Sequence, residues 1–174
     1  ADNGGGVCND AGIFTMYGGT ITSNTADNGG GVYNNNPGKF FMYGGTITTN
    51  NAGSGGGVYV SVNCSFDMYG GTITGNKAEQ TNGTAYGGGV YINKGTFTMS
   101  GGEITKNTAT VGGGGVLNDS GQFTMSAGTT ISENKAYGGG GVLNDKGTFT
   151  MSGGTISRNE LVGPDSNLSG GGVF

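Results

Sequence analysis

A triplet of phenylalanine, one residue and methionine recurs along the whole chain, at Phe14/Met16, Phe40/Met42, Phe66/Met68, Phe97/Met99, Phe123/Met125 and Phe149/Met151. Met16 to Met42 is a step of 26 residues, repeated from Met42 to Met68, Met99 to Met125 and Met125 to Met151. The step from Met68 to Met99 is 31. Two further signals keep the same phase. A Gly run ends in Val at Val7, Val32, Val58, Val90, Val116, Val142 and Val173, and a Gly-Gly-Thr-Ile-Thr-like run is centred on Ile21, Ile47, Ile73, Ile104, Ile131 and Ile156. An internal period of this length restricts the chain to a repeat architecture, in which neighbouring units must bury each other's apolar faces.

Each signal is too short for a helix and alternates as a strand does. In Phe14-Thr15-Met16 the apolar side chains point one way and Thr the other, and in Thr20-Ile21-Thr22 the Ile opposes both Thr. Glycine pairs and Asn-Gly or Asp-x-Gly stretches separate the strands and supply left-handed corners. The expected fold is all-β: a right-handed parallel β-helix solenoid with three short strands and about 26 residues per coil. One domain over residues 1–174 holds about six coils. Extra residues fall near 79–84 and 161–169, at one corner, where loops leave stacked strands undisturbed.

Composition agrees once the period is known. Glycine makes up 43 of 174 residues, which without a period would indicate low complexity. A formal net charge of −4 with 7 basic residues gives no footprint for nucleic acid. No apolar run approaches the length of a membrane helix, so direct membrane insertion is not expected. Cys8 and Cys64 occupy different repeat positions two coils apart, too far for a disulfide, and are expected to be separate thiols.

Little in the chain suggests chemistry. There is no histidine, which removes His-based triads and His-rich metal sites. Carboxylates are scattered rather than clustered beside bases, against a polysaccharide lyase or hydrolase. The Gly runs are not followed by Lys-Ser/Thr and a helix, as a phosphate loop requires. Asn-Asp-x-Gly recurs at Asn9-Asp10, Asn118-Asp119 and Asn144-Asp145, and stacking would place Asp119 beside Asp145 at a spacing calcium could bridge. The plainer reading is a turn in which Asp bonds its own backbone, with Lys94 and Lys146 near the same row. No catalytic residue, cofactor or metal is expected.

Three side-chain rows are more informative. Asn24, Asn50, Asn76, Asn107, Asn134 and Asn159 follow the Ile series by three residues and are expected to form a structural amide ladder. Thr20/Thr22, Thr46/Thr48 and Thr72/Thr74 begin a Thr-x-Thr array, continued by Glu103/Thr105, Thr130/Ser132 and Thr155/Ser157. Such an array resembles the water-ordering face of several antifreeze proteins, although Thr also suits any solvent-facing strand. Tyrosines form two stripes, Tyr17/Tyr43/Tyr69 after Met and Tyr33/Tyr59/Tyr91 after Val, which either bind a partner or pack on neighbouring coils. Later coils carry Ser100, Ser126 and Ser152 in the first stripe, and Leu117 and Leu143 in the second.

The unit Ile21-x-x-Asn24-x-Ala26 followed by Gly29-Gly30-Gly31-Val32 resembles the short paired motifs of polymorphic outer-membrane proteins and related autotransporter passengers. It is also similar to Gly/Thr-rich β-helix repeats of surface proteins from gut bacteria, and the likeness covers the whole chain. What the resemblance implies is extracellular display on a bacterial cell surface, with adhesion or stalk duty. The opening Ala1-Asp2-Asn3-Gly4 matches Ala26-Asp27-Asn28-Gly29 in mid-repeat, so both ends are expected to be uncapped and the chain a piece of a longer one. The leading expectation is a non-enzymatic structural or adhesive surface repeat that self-associates through its ends or rows, or binds host glycan or protein. The alternatives are an ice-binding module using the Thr face and a polysaccharide-active enzyme.

Overall fold

A computed structural model describes residues 2–79, 83, 85–163 and 170–174. The described residues contain no helix. The first coil carries four strands, β1 (Val7–Asp10), β2 (Ile13–Met16), β3 (Thr20–Thr22) and β4 (Thr25–Asn28). Each seeds a six-stranded sheet in which every neighbour is the equivalent strand one coil away. All named strand pairings are parallel and in register, as in Val7↔Val32, Phe14↔Phe40, Ile21↔Ile47 and Ala26↔Ala52. The expected β-solenoid of about six coils is therefore observed, with four sheets, named here the Val, Phe-Met, Thr-Ile-Thr and Ala sheets.

The fourth sheet corrects the expectation of three strands per coil. Its inward residue is alanine, at Ala26, Ala52, Ala78, Ala109 and Ala136, so it lacks the large apolar marker of the other three. Backbone conformation explains the count. Every complete coil turns at four left-handed positions, as at Gly4 (φ 72), Ala11 (φ 56), Gly19 (φ 86) and Ser23 (φ 59) in the first. Four left-handed turns bound four strands. Two of these corners are glycine by rule, but the other two are taken by residues such as Asn36, Thr49, Lys94 and Lys106, which hide the turn from sequence.

The interior is a set of like-on-like columns. Six phenylalanine rings stack down the Phe-Met sheet, with centroids 4.5 Å apart at Phe40–Phe66 and 5.0 Å at Phe97–Phe123. Val, Met and Ile columns complete one continuous core, and Ala78, Ala85, Ala109 and Ala136 form a second, thinner one. The Gly runs let the Val-sheet corner approach the core: a Cβ on Gly57 would lie 2.5 Å from the Gly89 carbonyl oxygen and 2.9 Å from Ile73 Cγ2. Cys8 is exposed, Cys64 is buried, and both are free thiols as expected. Apart from Glu79, Gly83 and 161–163, the two expected insertions at 79–84 and 161–169 lie outside the described residues.

Candidate binding surfaces

The Asn series after Ile forms the expected ladder. Asn24 Nδ2 donates to Asn50 Oδ1 at 2.9 Å, and the pattern continues through Asn76, Asn107 and Asn134 to Asn159 at 2.9–3.1 Å. Each following amide also donates to the carbonyl of an Ile in the coil before it, as Asn76 does to Ile47 at 2.9 Å. With both ends of each amide from Asn50 to Asn159 engaged and Asn50, Asn76, Asn107 and Asn134 buried, this row holds the corner and its middle is closed to ligands.

A second ladder was missed. Asn9 donates to Asn34 Oδ1 at 2.7 Å and Asn118 to Asn144 Oδ1 at 2.7 Å. Val60 and Ile92 occupy the two intervening places in the same register. The signal was available: Asn stands two residues after Val in these four coils and so shares the inward face. In Asn-Asp-x-Gly it is thus the Asn that ties the turn, Asn118 Nδ2 donating to Gly121 O at 3.3 Å, rather than the Asp.

The acids at the end of the Asp row have protein partners. Asp119 Oδ2 accepts from the Tyr91 hydroxyl at 3.1 Å and Oδ1 from the Ser120 hydroxyl at 3.0 Å, while Asp145 lies 3.8 Å from Lys146 Nζ. Among the described residues no three His, Cys, Asp or Glu side chains come together as a metal set. Cations along the corner between the Thr-Ile-Thr and Ala sheets are also matched, Arg158 to Glu133 at 3.2 Å and Lys135 to Glu160 at 2.7 Å.

The Thr array is in register on one sheet. Thr20, Thr46 and Thr72 pair in sequence, as do Thr22, Thr48 and Thr74. Thr20 and Thr22 are exposed, and the other four are half-buried. Glu103 follows Thr72, and Ser132 follows Thr105.

The two tyrosine stripes differ in kind. Tyr17, Tyr43 and Tyr69 stack at 5.1 and 4.9 Å and are 77, 48 and 47% exposed. They stand together on the solvent side of the corner between the Phe-Met and Thr-Ile-Thr sheets. In the other stripe Tyr33 and Tyr91 are half-buried, and Tyr59 is only 8% exposed. Of the two alternatives for this stripe, Tyr59 takes packing on the neighbouring coil: its ring lies edge-on to Tyr91 at 4.9 Å, and its hydroxyl accepts from Asn93 at 2.8 Å. Burial pushes the Tyr59 phenol above its ordinary range. It does the same to Tyr91, where the neighbouring Asp119 carboxylate adds to the effect.

Beyond Tyr91 the outward row of the Val sheet steps down to Leu117 and Leu143. A cavity of about 360 Å³ opens there, bordered by Tyr86, Tyr91, Asp119, Asp145 and Phe174. No family model, curated protein or solved structure gives a significant match to the chain.

Proposed function

We propose that this chain is a non-enzymatic extracellular repeat domain of a bacterial surface protein or fibre, holding aromatic side chains in a fixed row for adhesion. The observation that carries the reading is the Tyr17–Tyr43–Tyr69 stack. Three neighbouring rings stay about half exposed or more at fixed spacing. A contiguous exposed aromatic patch marks an interaction surface more often than a structural need. The fold does not require it, because Ser100, Ser126 and Ser152 fill the same place in later coils. Parallel strands, stacked rings and amide ladders make a stiff support, which limits the ordering cost when a partner docks. The partner is host glycan, host protein or another copy of the chain.

The test compares retention of the wild-type chain and a Tyr17→Ser/Tyr43→Ser/Tyr69→Ser variant on surfaces coated with mucin, collagen and fibronectin. Sedimentation over a concentration series reads self-association in parallel. Loss of retention or of association in the variant is expected. Equal behaviour of the two chains in every assay would overturn the reading.

A second reading, ice binding, is favoured by the in-register Thr pairs from Thr20/Thr22 to Thr72/Thr74. It requires thermal hysteresis in the parent chain, abolished by Thr48→Tyr or Thr74→Tyr. Ordinary freezing of the parent removes it.

A further inference from the structure

The cavity beside Tyr91 is made by a change of residue size within one row. Positions Tyr33, Tyr59 and Tyr91 carry a ring, and the next two coils carry Leu117 and Leu143 in the same register. With strands about 4.8 Å apart, losing two rings leaves a trough roughly 10 Å long in the stacking direction. Tyr86 doubles the wall at one side, its ring 6.3 Å from that of Tyr91 and inclined by 21°. Leu117 is 3% exposed and forms part of a packed apolar floor. Glycine at 112 leaves the space that Leu143 occupies, since a Cβ there would collide with Leu143 Cδ2. Phe174, bonded to Val142 in the strand register, borders the other side.

The polar rim is equally specific. Tyr91 donates to Asp119 Oδ2 and Ser120 to Asp119 Oδ1, which fixes that carboxylate at the trough edge. Each carboxylate oxygen accepts more than one hydrogen bond, so Asp119 keeps acceptor capacity for a further donor. Asp145 lines the same trough beside Lys146, which offsets its charge.

We propose that this trough binds a segment of a neutral oligosaccharide, with a pyranose C–H face on the Tyr91 ring and the leucine floor and ring hydroxyls donating to Asp119 and Asp145. Sites of this sort combine an apolar, largely preformed surface with a few fixed polar groups. Pyranose rings offer both surfaces at once. Carboxylates at the rim oppose an anionic glycan. A cationic peptide is the weaker fit, because Lys146 beside Asp145 already offsets that charge and repels a second cation. The trough lies on the Val sheet, apart from the exposed Tyr17 stack, so its failure and that of the adhesive stack are separable.

Saturation-transfer NMR with cello-, malto-, xylo- and manno-hexaose, followed by calorimetry on the best of them, tests the proposal. Binding of at least one is expected. The double variant Leu117→Tyr/Leu143→Tyr should abolish it by filling the trough with the residue type the same row already holds. Asp119→Ser introduces the residue type found at Ser61 in that row, and should weaken binding about fivefold or more, the loss of roughly one hydrogen bond. Tyr17→Ser/Tyr43→Ser/Tyr69→Ser should leave it unchanged. The proposal is overturned if no hexaose binds, if the filled and Asp119→Ser variants bind as the parent does, or if hexalysine binds more tightly than every sugar.

Discussion

Ile92 and Asn118 are register partners on neighbouring strands, and the buried Asn118 Oδ1 finds no donor. The interrupted ladder accounts for this. Amides in this column donate toward the C-terminal coil, so Asn118 should receive from position 92, where Ile has nothing to give. Ile92→Asn alone passes the vacancy to the new amide oxygen at position 92, which faces Val60, sacrifices apolar burial, and is expected to destabilise by about 2 kcal/mol or more. Val60→Asn/Ile92→Asn joins Asn34 to Asn118 through an unbroken column. The double variant is expected to be more stable than the sum of its single changes predicts, by about 1 kcal/mol or more. A double-mutant cycle of urea unfolding reads that coupling, and strict additivity would show that the column does not propagate.

The complete ladder predicts a gradient along the stack. Asn76 Oδ1 accepts from the Asn50 backbone and side chain, and Asn76 Nδ2 donates to Ile47 O and Asn107 Oδ1. Asn76→Ala leaves several of these buried groups without partners, at an expected cost of about 3 kcal/mol or more. Asn24 is half-buried and donates to Asn50. Asn24→Ala should cost about 1 kcal/mol. Chemical unfolding of the two variants checks the order, and similar losses would mean that depth in the stack does not matter.

Glycines in this chain are not equivalent. A Cβ at Gly57 would meet the Gly89 carbonyl oxygen at 2.5 Å, and that carbonyl belongs to the inter-coil backbone ladder. Gly57→Ala therefore has to push coils apart and is expected to cost about 3 kcal/mol. At Gly18 an added Cβ meets nothing within 4 Å and φ is not positive. Gly18→Ala should be neutral or stabilise by about 0.5 kcal/mol through the unfolded chain. Thermal midpoints separate the two outcomes.

The parts of the fold legible in sequence are those where one residue type recurs at an inward position. Phe14, Met16, Ile21, Val32 and their equivalents state the period, the register and three sheets, and Asn24 states the corner ladder. The Ala sheet escaped because Ala26 or Ala52 carries too little apolar surface to mark a strand, and its left-handed corners at Ser23 and Thr49 are not glycine. The second Asn column escaped for a different reason: Val60 and Ile92 break it, and Asn-Asp-x-Gly reads as turn chemistry alone. Exposure was the least legible property. Tyr17 and Tyr59 are the same residue type in comparable stripes, yet one faces water and the other is packed beneath a neighbouring ring. The trough follows from Leu117 and Leu143 replacing tyrosine, which becomes a cavity only when the stripe is known to be stacked and flanked by Tyr86.

Asp67 carries a pH signature. Its row neighbours on the Phe-Met sheet are Phe41 and Thr98, and the equivalent places further along hold Thr124 and Thr150. Burial raises the Asp67 carboxyl above the ordinary carboxylate range, and the Thr98 hydroxyl and Lys39 only partly oppose it. For an acid whose folded pKa is raised, the protonated form favours the folded state. That contribution is fully present below the unfolded value, and it is lost as pH rises through the higher folded value. At pH 7 the charged Asp67 is therefore a net cost, partly screened by solvent. Asp67→Thr, which continues the row, is expected to raise the thermal midpoint at about pH 7, with an advantage that shrinks as pH falls through the raised folded value and is gone below the unfolded carboxyl value near 3.9. Thermal unfolding of the parent and variant across this range provides the check. A gain that stays constant with pH would assign the effect to Thr packing, and a lower midpoint at neutral pH would mean that Lys39 and Thr98 more than offset burial.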